Sequence, residues 1–273
     1  MASVEFLKIL VPILYAAVVA DYAVAFFTRI RYAEESKREL LLITLVAHLV
    51  YLFLRYAAYG HVPITNLFEV MTILAFAIAL AYLMIERMTR VTETGFFVLS
   101  VALVFQTISS VFIKCCAEVN PVLRSPLLGF HVTSALLGYS AISISAVYGF
   151  LYLMLYHDIR STRFSAIYRR LPSLEVLESM SFRATILGFA FLSLAILVGF
   201  IWLPRAFESF SYADPKLLVT VSIWLLYGIG FSARTIGRWQ GRRVVILALC
   251  GFAIVFLSMT VVNVFFSGFH NFY

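Results

Sequence analysis

The stretch ATILGFAFLSLAILVGFIWL, residues 184–203, carries no charged side chain at any position. A helix that spans the hydrocarbon core of a bilayer needs about 20 mostly apolar residues. Similar stretches are predicted near 4–27, 39–59, 66–85, 95–113, 131–156, 217–233 and 244–264. Backbone polar groups in lipid must be satisfied internally, so these continuous runs predict helices rather than the alternating strands of a β-barrel.

The composition leaves little room for a soluble domain. Hydrophobic residues make up 63% of the chain and charged residues 13%, which is far from the balance of a soluble protein. We therefore predict an all-α, polytopic membrane helix bundle with about eight transmembrane helices. It should form a single integral membrane domain over residues 1–273, placed as a multi-pass protein in the cell inner (plasma) membrane.

Lysine and arginine concentrate in one alternating set of loops, and such a bias marks the cytoplasmic side. Fifteen of the 21 basic residues lie in that set. They are Arg29, Arg31, Lys37, Arg38, Arg87, Arg90, Arg160, Arg163, Arg169, Arg170, Arg183, Arg234, Arg238, Arg242 and Arg243. With eight spans, both termini are then predicted to lie outside. The net charge of +7 reflects this topology and attraction to anionic lipid, so it implies no nucleic-acid partner.

Two local signals predict structure at helix ends. Thr65 or Asn66 is expected to cap the third span, with Glu69 placed favourably in its first turn. Between the fifth and sixth spans, Leu174 and Leu177 share a helical face within a basic segment, which is typical of an interfacial helix.

Four segments, in order along the chain, carry a family resemblance. They read GHVPITNLFE at 60–69, FHV at 130–132 followed by Gly138-Tyr139, LPSLE at 171–175, and a pattern from Asp214-Pro215-Lys216 to Ser267-Gly268-Phe269-His270. Together they resemble the CcsA/ResC/HemX family of cytochrome c assembly membrane proteins, from about residue 40 to the end of the chain.

This resemblance implies a haem site at the outer face of the membrane. In that family two outer histidines ligate haem that is presented to apocytochrome c, and His131 and His270 match those positions. Imidazole is a common axial ligand of haem iron. The resemblance thus predicts His131 and His270 as paired ligands; the alternative is that each is a polar residue at a helix end.

The loop before the seventh span departs from the family pattern. Family members carry several tryptophans there, whereas this chain keeps Asp214 before Pro and Lys but has Phe207, Phe210 and Tyr212 instead. These rings can stack on a macrocycle but donate few hydrogen bonds. A haem held here should be bound less tightly than in a member with the full loop. Trp202, nearby, is interpreted as a membrane-interface anchor.

His48 matches a histidine in the second span of the same family. It is predicted either to contribute to cofactor binding within the membrane or to be a hydrogen-bonded residue of the bundle, since a buried polar group without a partner costs about 1–3 kcal/mol. The family's later membrane histidine would fall near Ser232, where this chain has serine.

Three functions remain open from the sequence. The first is a haem-handling protein of cytochrome c assembly, with haem, apocytochrome c, a second assembly subunit and membrane lipid as partners. The second is a HemX-like protein that regulates haem biosynthesis through a partner. The third is a transporter, which paired interrupted helices would indicate and which the sequence does not show. Hydrolase and ATPase chemistry finds no support, because no nucleotide loop or nucleophile–base arrangement is present.

Overall fold

The computed structural model describes residues 2–28, 30–113, 126–162, 165–206, 213 and 215–257. Across these residues the chain forms nine α-helices and no strand, which confirms the predicted all-α fold. They are α1 (Ala2–Thr28), α2 (Arg31–Tyr59), α3 (Leu67–Thr89), α4 (Gly95–Phe112), α5 (Pro126–Arg160), α6 (Ala166–Arg170), α7 (Leu174–Ala206), α8 (Pro215–Thr235) and α9 (Arg242–Leu257).

Seven helices of the described chain, α1 to α5, α7 and α8, are long and apolar enough to cross a membrane. The chain is therefore a multi-pass membrane protein. The eighth predicted span, 244–264, coincides with α9, of which 16 residues are described; positions after 257 lie outside the described residues. The orientation of the termini stays a prediction.

Several helices extend beyond their predicted spans. α5 has 35 residues and at 1.5 Å per residue is about 52 Å long, against about 30 Å for the hydrocarbon core. The interfacial helix predicted around Leu174 and Leu177 was wrong. Both residues belong to the first turns of α7, and Leu177 is fully buried. The short α6 precedes it instead, with the Ser165 hydroxyl accepting from the Tyr168 N–H at its start.

The start of α3 follows from its capping residues. The Asn66 side chain accepts a hydrogen bond from the Glu69 N–H at 2.9 Å, so Asn66 rather than Thr65 is the N-cap. Glu69 in turn accepts from the backbone N–H and the hydroxyl of Thr65, at 2.8 and 2.7 Å. α2 ends at Tyr59 and is followed by Gly60 as its C-cap, whose φ of +70° suits glycine.

The described helices belong to two compact units. The first contains α1 to α4 together with α6, and the second contains α5, α7, α8 and α9. The prediction of a single integral membrane domain stays a prediction.

The first unit has a polar interior between apolar helices. α1 packs against α2 and α4, and α3 packs against α4 and α2. The Tyr22 hydroxyl donates to Glu86 at 2.6 Å, and Arg38 donates to the other oxygen of the same carboxylate at 3.0 Å. Such bonds fix the helix register, because a polar group buried without a partner is costly.

The second unit is built on the close pairing of α5 with α7. A Cβ added to Gly188 would lie 2.7 Å from Ile142 and 3.2 Å from the carbonyl of Gly138, so only glycine permits this approach. Small residues have this role in many membrane helix pairs. Ser145 on α5 is hydrogen-bonded to the Ser181 carbonyl and to the Thr185 hydroxyl on α7, at 2.9 and 2.7 Å.

Candidate functional site

His131 lies in the second turn of α5 and is partly buried. Its Nδ1 is 2.8 Å from the backbone carbonyl oxygen of Ala195 on α7. A carbonyl can only accept, so Nδ1 must carry the hydrogen. In the neutral ring the lone pair is then on Nε2, the nitrogen that a metal would take, and this partnership is typical of ligating histidines.

The absence of a side chain at Gly199 allows the His131 ring to pack closely against α7. A Cβ at position 199 would lie 3.1 Å from both Cε1 and Nδ1 of the imidazole, tighter than ordinary van der Waals contact. Residues 195 and 199 are one turn apart on the same face of α7. The backbone of α7 therefore holds the imidazole by a hydrogen bond at one point and by close packing at the other.

Trp202 stands one turn further along α7 than Gly199. Its side chain is only 5% exposed, whereas an indole anchored in the membrane interface would be open to lipid headgroups. The interpretation of Trp202 as an interface anchor was therefore wrong. The indole is instead buried within the protein.

His48 is fully buried in α2 and uses both ring nitrogens within the first unit. Nδ1 lies 3.1 Å from the Tyr15 hydroxyl, and Nε2 lies 3.1 Å from the Thr72 hydroxyl. Thr72 donates its hydrogen to Gln106 at 2.7 Å, so it accepts from Nε2. The Tyr15 hydroxyl then donates to Nδ1 of a neutral ring.

The hydrogen-bonded chain continues beyond His48. The Gln106 amide donates to the Ser110 hydroxyl at 3.0 Å. The network thus links α1, α2, α3 and α4 through side chains that satisfy one another. Each imidazole nitrogen of His48 thus has a protein partner. The role of His48 in cofactor binding stays a prediction.

A buried ion pair lies at one end of the first unit, the end that the predicted topology places outside. Arg55 donates from Nη2 and Nε to one carboxylate oxygen of Glu69, at 2.7 and 3.2 Å. The two side chains are 3% and 1% exposed. The other oxygen of Glu69 receives the two Thr65 bonds, so the ion pair also fixes the connection between α2 and α3.

The remaining predicted site residues come from two segments, the loop before α8 and the end of the chain. His270, Asp214, Phe207, Phe210 and Tyr212 all lie outside the described residues. The pairing of His131 with His270 therefore stays a prediction.

Ser232, where the family's later membrane histidine would fall, lies on the exposed side of α8. It borders a groove lined mostly by apolar and small side chains, among them Trp224, Gly228 and Ile236.

Sequence reasoning did not single out Ala195 and Gly199, nor Tyr15, Thr72 and Gln106. For the last three a signal was present, because a polar side chain in the middle of an apolar span needs a partner. For Ala195 the sequence carried no such signal, since the oxygen that accepts the hydrogen bond belongs to the backbone.

The sequence is similar to known proteins over most of its length. The sequence model of a family described as Cytochrome C assembly protein matches residues 64–270. A cytochrome c biogenesis protein CcsA of Guillardia theta is 26% identical over 237 residues, which cover 80% of this chain and 79% of that protein. The CcsA of Prochlorococcus marinus strain NATL1A is 28% identical, covering 81% and 79%. The CcsA of strain MIT 9301 is 27% identical, covering 88% and 86%.

Proposed function

Because this chain belongs to the cytochrome c assembly protein family, we propose that it is a haem-handling protein that holds or presents haem at the outer face of the inner (plasma) membrane. The relatives described above are named as cytochrome c biogenesis proteins, which supports a role in the same process. Their CcsA name favours this function over the HemX-like alternative of regulating haem biosynthesis. Haem is the cargo, and apocytochrome c and a second assembly subunit are the proposed partners.

The observation that carries the proposal is the hydrogen bond from His131 Nδ1 to the Ala195 carbonyl. It fixes the ring tautomer and directs the metal-binding lone pair to Nε2. The contact with Gly199 restricts the ring further. Haem would supply an iron that accepts an imidazole nitrogen, and His131 fits the role of one axial ligand.

His270 is proposed as the second residue that would hold the haem iron, from the resemblance of its flanking sequence. Asp214 and the aromatic residues Phe207, Phe210 and Tyr212 would border the same haem. Two neutral imidazoles on one iron give a low-spin complex with a distinct absorption spectrum. The loss of the tryptophans leaves fewer hydrogen-bond donors for the macrocycle, so binding should be weaker than in members with the full loop.

His48 is proposed to stabilise the bundle rather than to ligate haem. Tyr15 and Thr72 occupy its two nitrogens, and an iron ligand would have to give up one of these bonds. Losing such a bond leaves a buried polar group unsatisfied, at a cost of about 1–3 kcal/mol.

Absorption spectroscopy of the purified full chain, titrated with haem, tests this assignment. His131→Gly should lower haem affinity at least tenfold and remove the low-spin signature, since an axial ligand is lost. Added imidazole should restore the signature by entering the space left by the ring. His157→Gly is the matched control, because His157 lies exposed at the opposite end of α5.

The proposal predicts the same loss for His270→Gly and unchanged haem spectra for His48→Gln. Spectra that survive both outer substitutions but disappear with His48→Gln would place the haem at the buried imidazole instead. Haem spectra equally affected by His157→Gly and His131→Gly would show that the effect is not specific to the proposed ligand.

A further inference from the structure

A cavity of about 370 Å³ opens in the first unit. It lies where α1 ends, α2 begins and α3 connects to α4, at the end that the charge bias predicts to be cytoplasmic. Its lining residues are Tyr22, Ala25, Phe26, Glu34, Lys37, Thr92, Glu93 and Arg170. This is the opposite end of the unit from the Arg55–Glu69 ion pair, and the proposed haem ligands are not part of it.

Lys37 is the buried charge of this cavity, only 5% exposed. Among the described residues its ammonium makes no hydrogen bond and no ion pair, and it lies 5.7 Å from the centre of the Tyr22 ring. A contact with an aromatic ring compensates a buried cation only in part. The three hydrogen-bond donors of the ammonium group are therefore available to a ligand in the cavity.

The neighbouring carboxylates do not pair with the Lys37 ammonium group. Glu86 is occupied by Tyr22 and Arg38, and Asp21 accepts from Ser36 at 2.7 Å. Glu34 shares a helical face with Lys37 but is exposed and forms no ion pair with it. A buried cation that its own acids leave unpaired points to an external acceptor.

The rim of the cavity carries both signs of charge. Glu34 and Glu93 are exposed there, and Arg170 on α6 is partly buried and donates to the Phe27 carbonyl at 3.4 Å. An anion alone would meet two carboxylates at the opening. A zwitterion would match the arrangement, with its negative group on Lys37 and Arg170 and its positive group between Glu34 and Glu93.

We propose that this cavity binds the headgroup of a zwitterionic phospholipid, with the phosphate on Lys37 and a headgroup amine at the rim. Ala25 and Phe26 add apolar surface beside the charged groups, as the start of the acyl chains requires. Cationic side chains in pockets between helices at the cytoplasmic side bind the phosphates of anionic lipids. The two carboxylates at this rim favour a headgroup that also carries an amine. This lipid site goes beyond the proposed haem function and does not depend on it.

Native mass spectrometry of the delipidated full chain in detergent tests the proposal with three probes: phosphatidylethanolamine, phosphatidylglycerol and inorganic phosphate. We expect phosphatidylethanolamine to bind best. Lys37→Gln should weaken it about tenfold or more, as for loss of a charge-assisted hydrogen bond, and Lys37→Arg should retain it. Arg31→Gln removes an exposed charge on the same helix and should have no effect.

A second measurement guards against misfolding of the Lys37→Gln variant. In the unaltered chain, with the amine-reactive reagent in excess over the primary amine of the lipid as well as over the protein, phosphatidylethanolamine should protect Lys37 from acylation, whereas inorganic phosphate should not. Replacing Glu34 and Glu93 together by Gln should remove the preference over phosphatidylglycerol. Three results would each overturn the proposal. The unaltered chain could bind the two lipids equally, inorganic phosphate could protect Lys37 more than phosphatidylethanolamine does, or phosphatidylethanolamine could give Lys37 no protection.

Discussion

Removing the carboxylate of Glu69 should destabilise the first unit more than any change to an exposed ion pair. In Glu69→Ala, Arg55 loses the carboxylate oxygen that accepts from its Nη2 and Nε, and Thr65 loses the acceptor for its N–H and its hydroxyl. The Arg55 guanidinium is buried, so water cannot replace these bonds without opening the structure.

The size of the effect follows from this burial. Breaking a buried ion pair by removing one partner costs about 3–5 kcal/mol, and both side chains here are at most 3% exposed. The Tyr59 ring, 4.9 Å from the Arg55 guanidinium, offsets a small part of this through its cation–π contact. We therefore expect the free energy of unfolding to fall by about 3–4 kcal/mol, within the range for buried pairs.

Unfolding of the detergent-solubilised chain by sodium dodecyl sulfate, followed by circular dichroism, measures this change. The double variant Arg55→Met with Glu69→Leu should recover most of the loss, because two apolar side chains replace the two buried charges. Glu35→Ala is the control: it breaks the Arg31–Glu35 pair on α2, whose side chains are 92% and 67% exposed, and should cost less than about 1 kcal/mol.

Two results would refute this reasoning. One is a loss from Glu69→Ala no larger than that from Glu35→Ala. The other is a double variant that is as unstable as the single one, since the instability could then not come from the buried Arg55 charge that has lost Glu69.

Three further outcomes are expected. Gly199→Ala places a methyl group 3.1 Å from the His131 imidazole that packs on Gly199. Haem affinity should therefore fall about fivefold, the equivalent of one hydrogen bond of about 1 kcal/mol. The control is Gly129→Ala, whose methyl group meets nothing within 4 Å and should leave haem affinity unchanged. Equal losses in the two haem titrations would contradict this. Thr72→Val should lower the free energy of unfolding by about 1–3 kcal/mol without changing haem content, and a parallel loss of haem would assign the buried imidazole to the site. In a cysteine-free background, cysteine at Asp214 should react with an impermeant maleimide in intact cells and cysteine at Arg169 should not; the reverse would refute the topology.

Sequence reasoning predicted the helices because each depends on a local property. A run such as residues 184–203 is apolar over the full thickness of a bilayer, and only a helix satisfies its backbone there. The cap at Asn66 was predictable for the same reason, since its partner Glu69 is three residues away. Helix ends were less well predicted, because α5 and α7 continue past the hydrocarbon region, where apolarity no longer marks them.

The contacts that build the candidate site depend on packing instead. The His131 bond joins residues 64 positions apart and ends on a backbone atom that every amino acid has. His48 was recognised as needing partners, but which of the polar span residues would supply them depends on how α1 and α3 pack around α2. The burial of Trp202 was missed because tryptophan near a span end is enriched at the membrane interface, and the local sequence does not show which parts of the chain cover the indole.

The hydrogen bond to the Ala195 carbonyl has an evolutionary consequence. Where a ligating histidine is oriented by an acidic side chain, one nucleotide change can abolish the partner. Here any residue at position 195 that keeps α7 helical offers the same oxygen, so the tautomer of His131 is insensitive to most point mutations in its partner. Drift can therefore alter the surroundings of the imidazole while the nitrogen that carries the hydrogen stays the same.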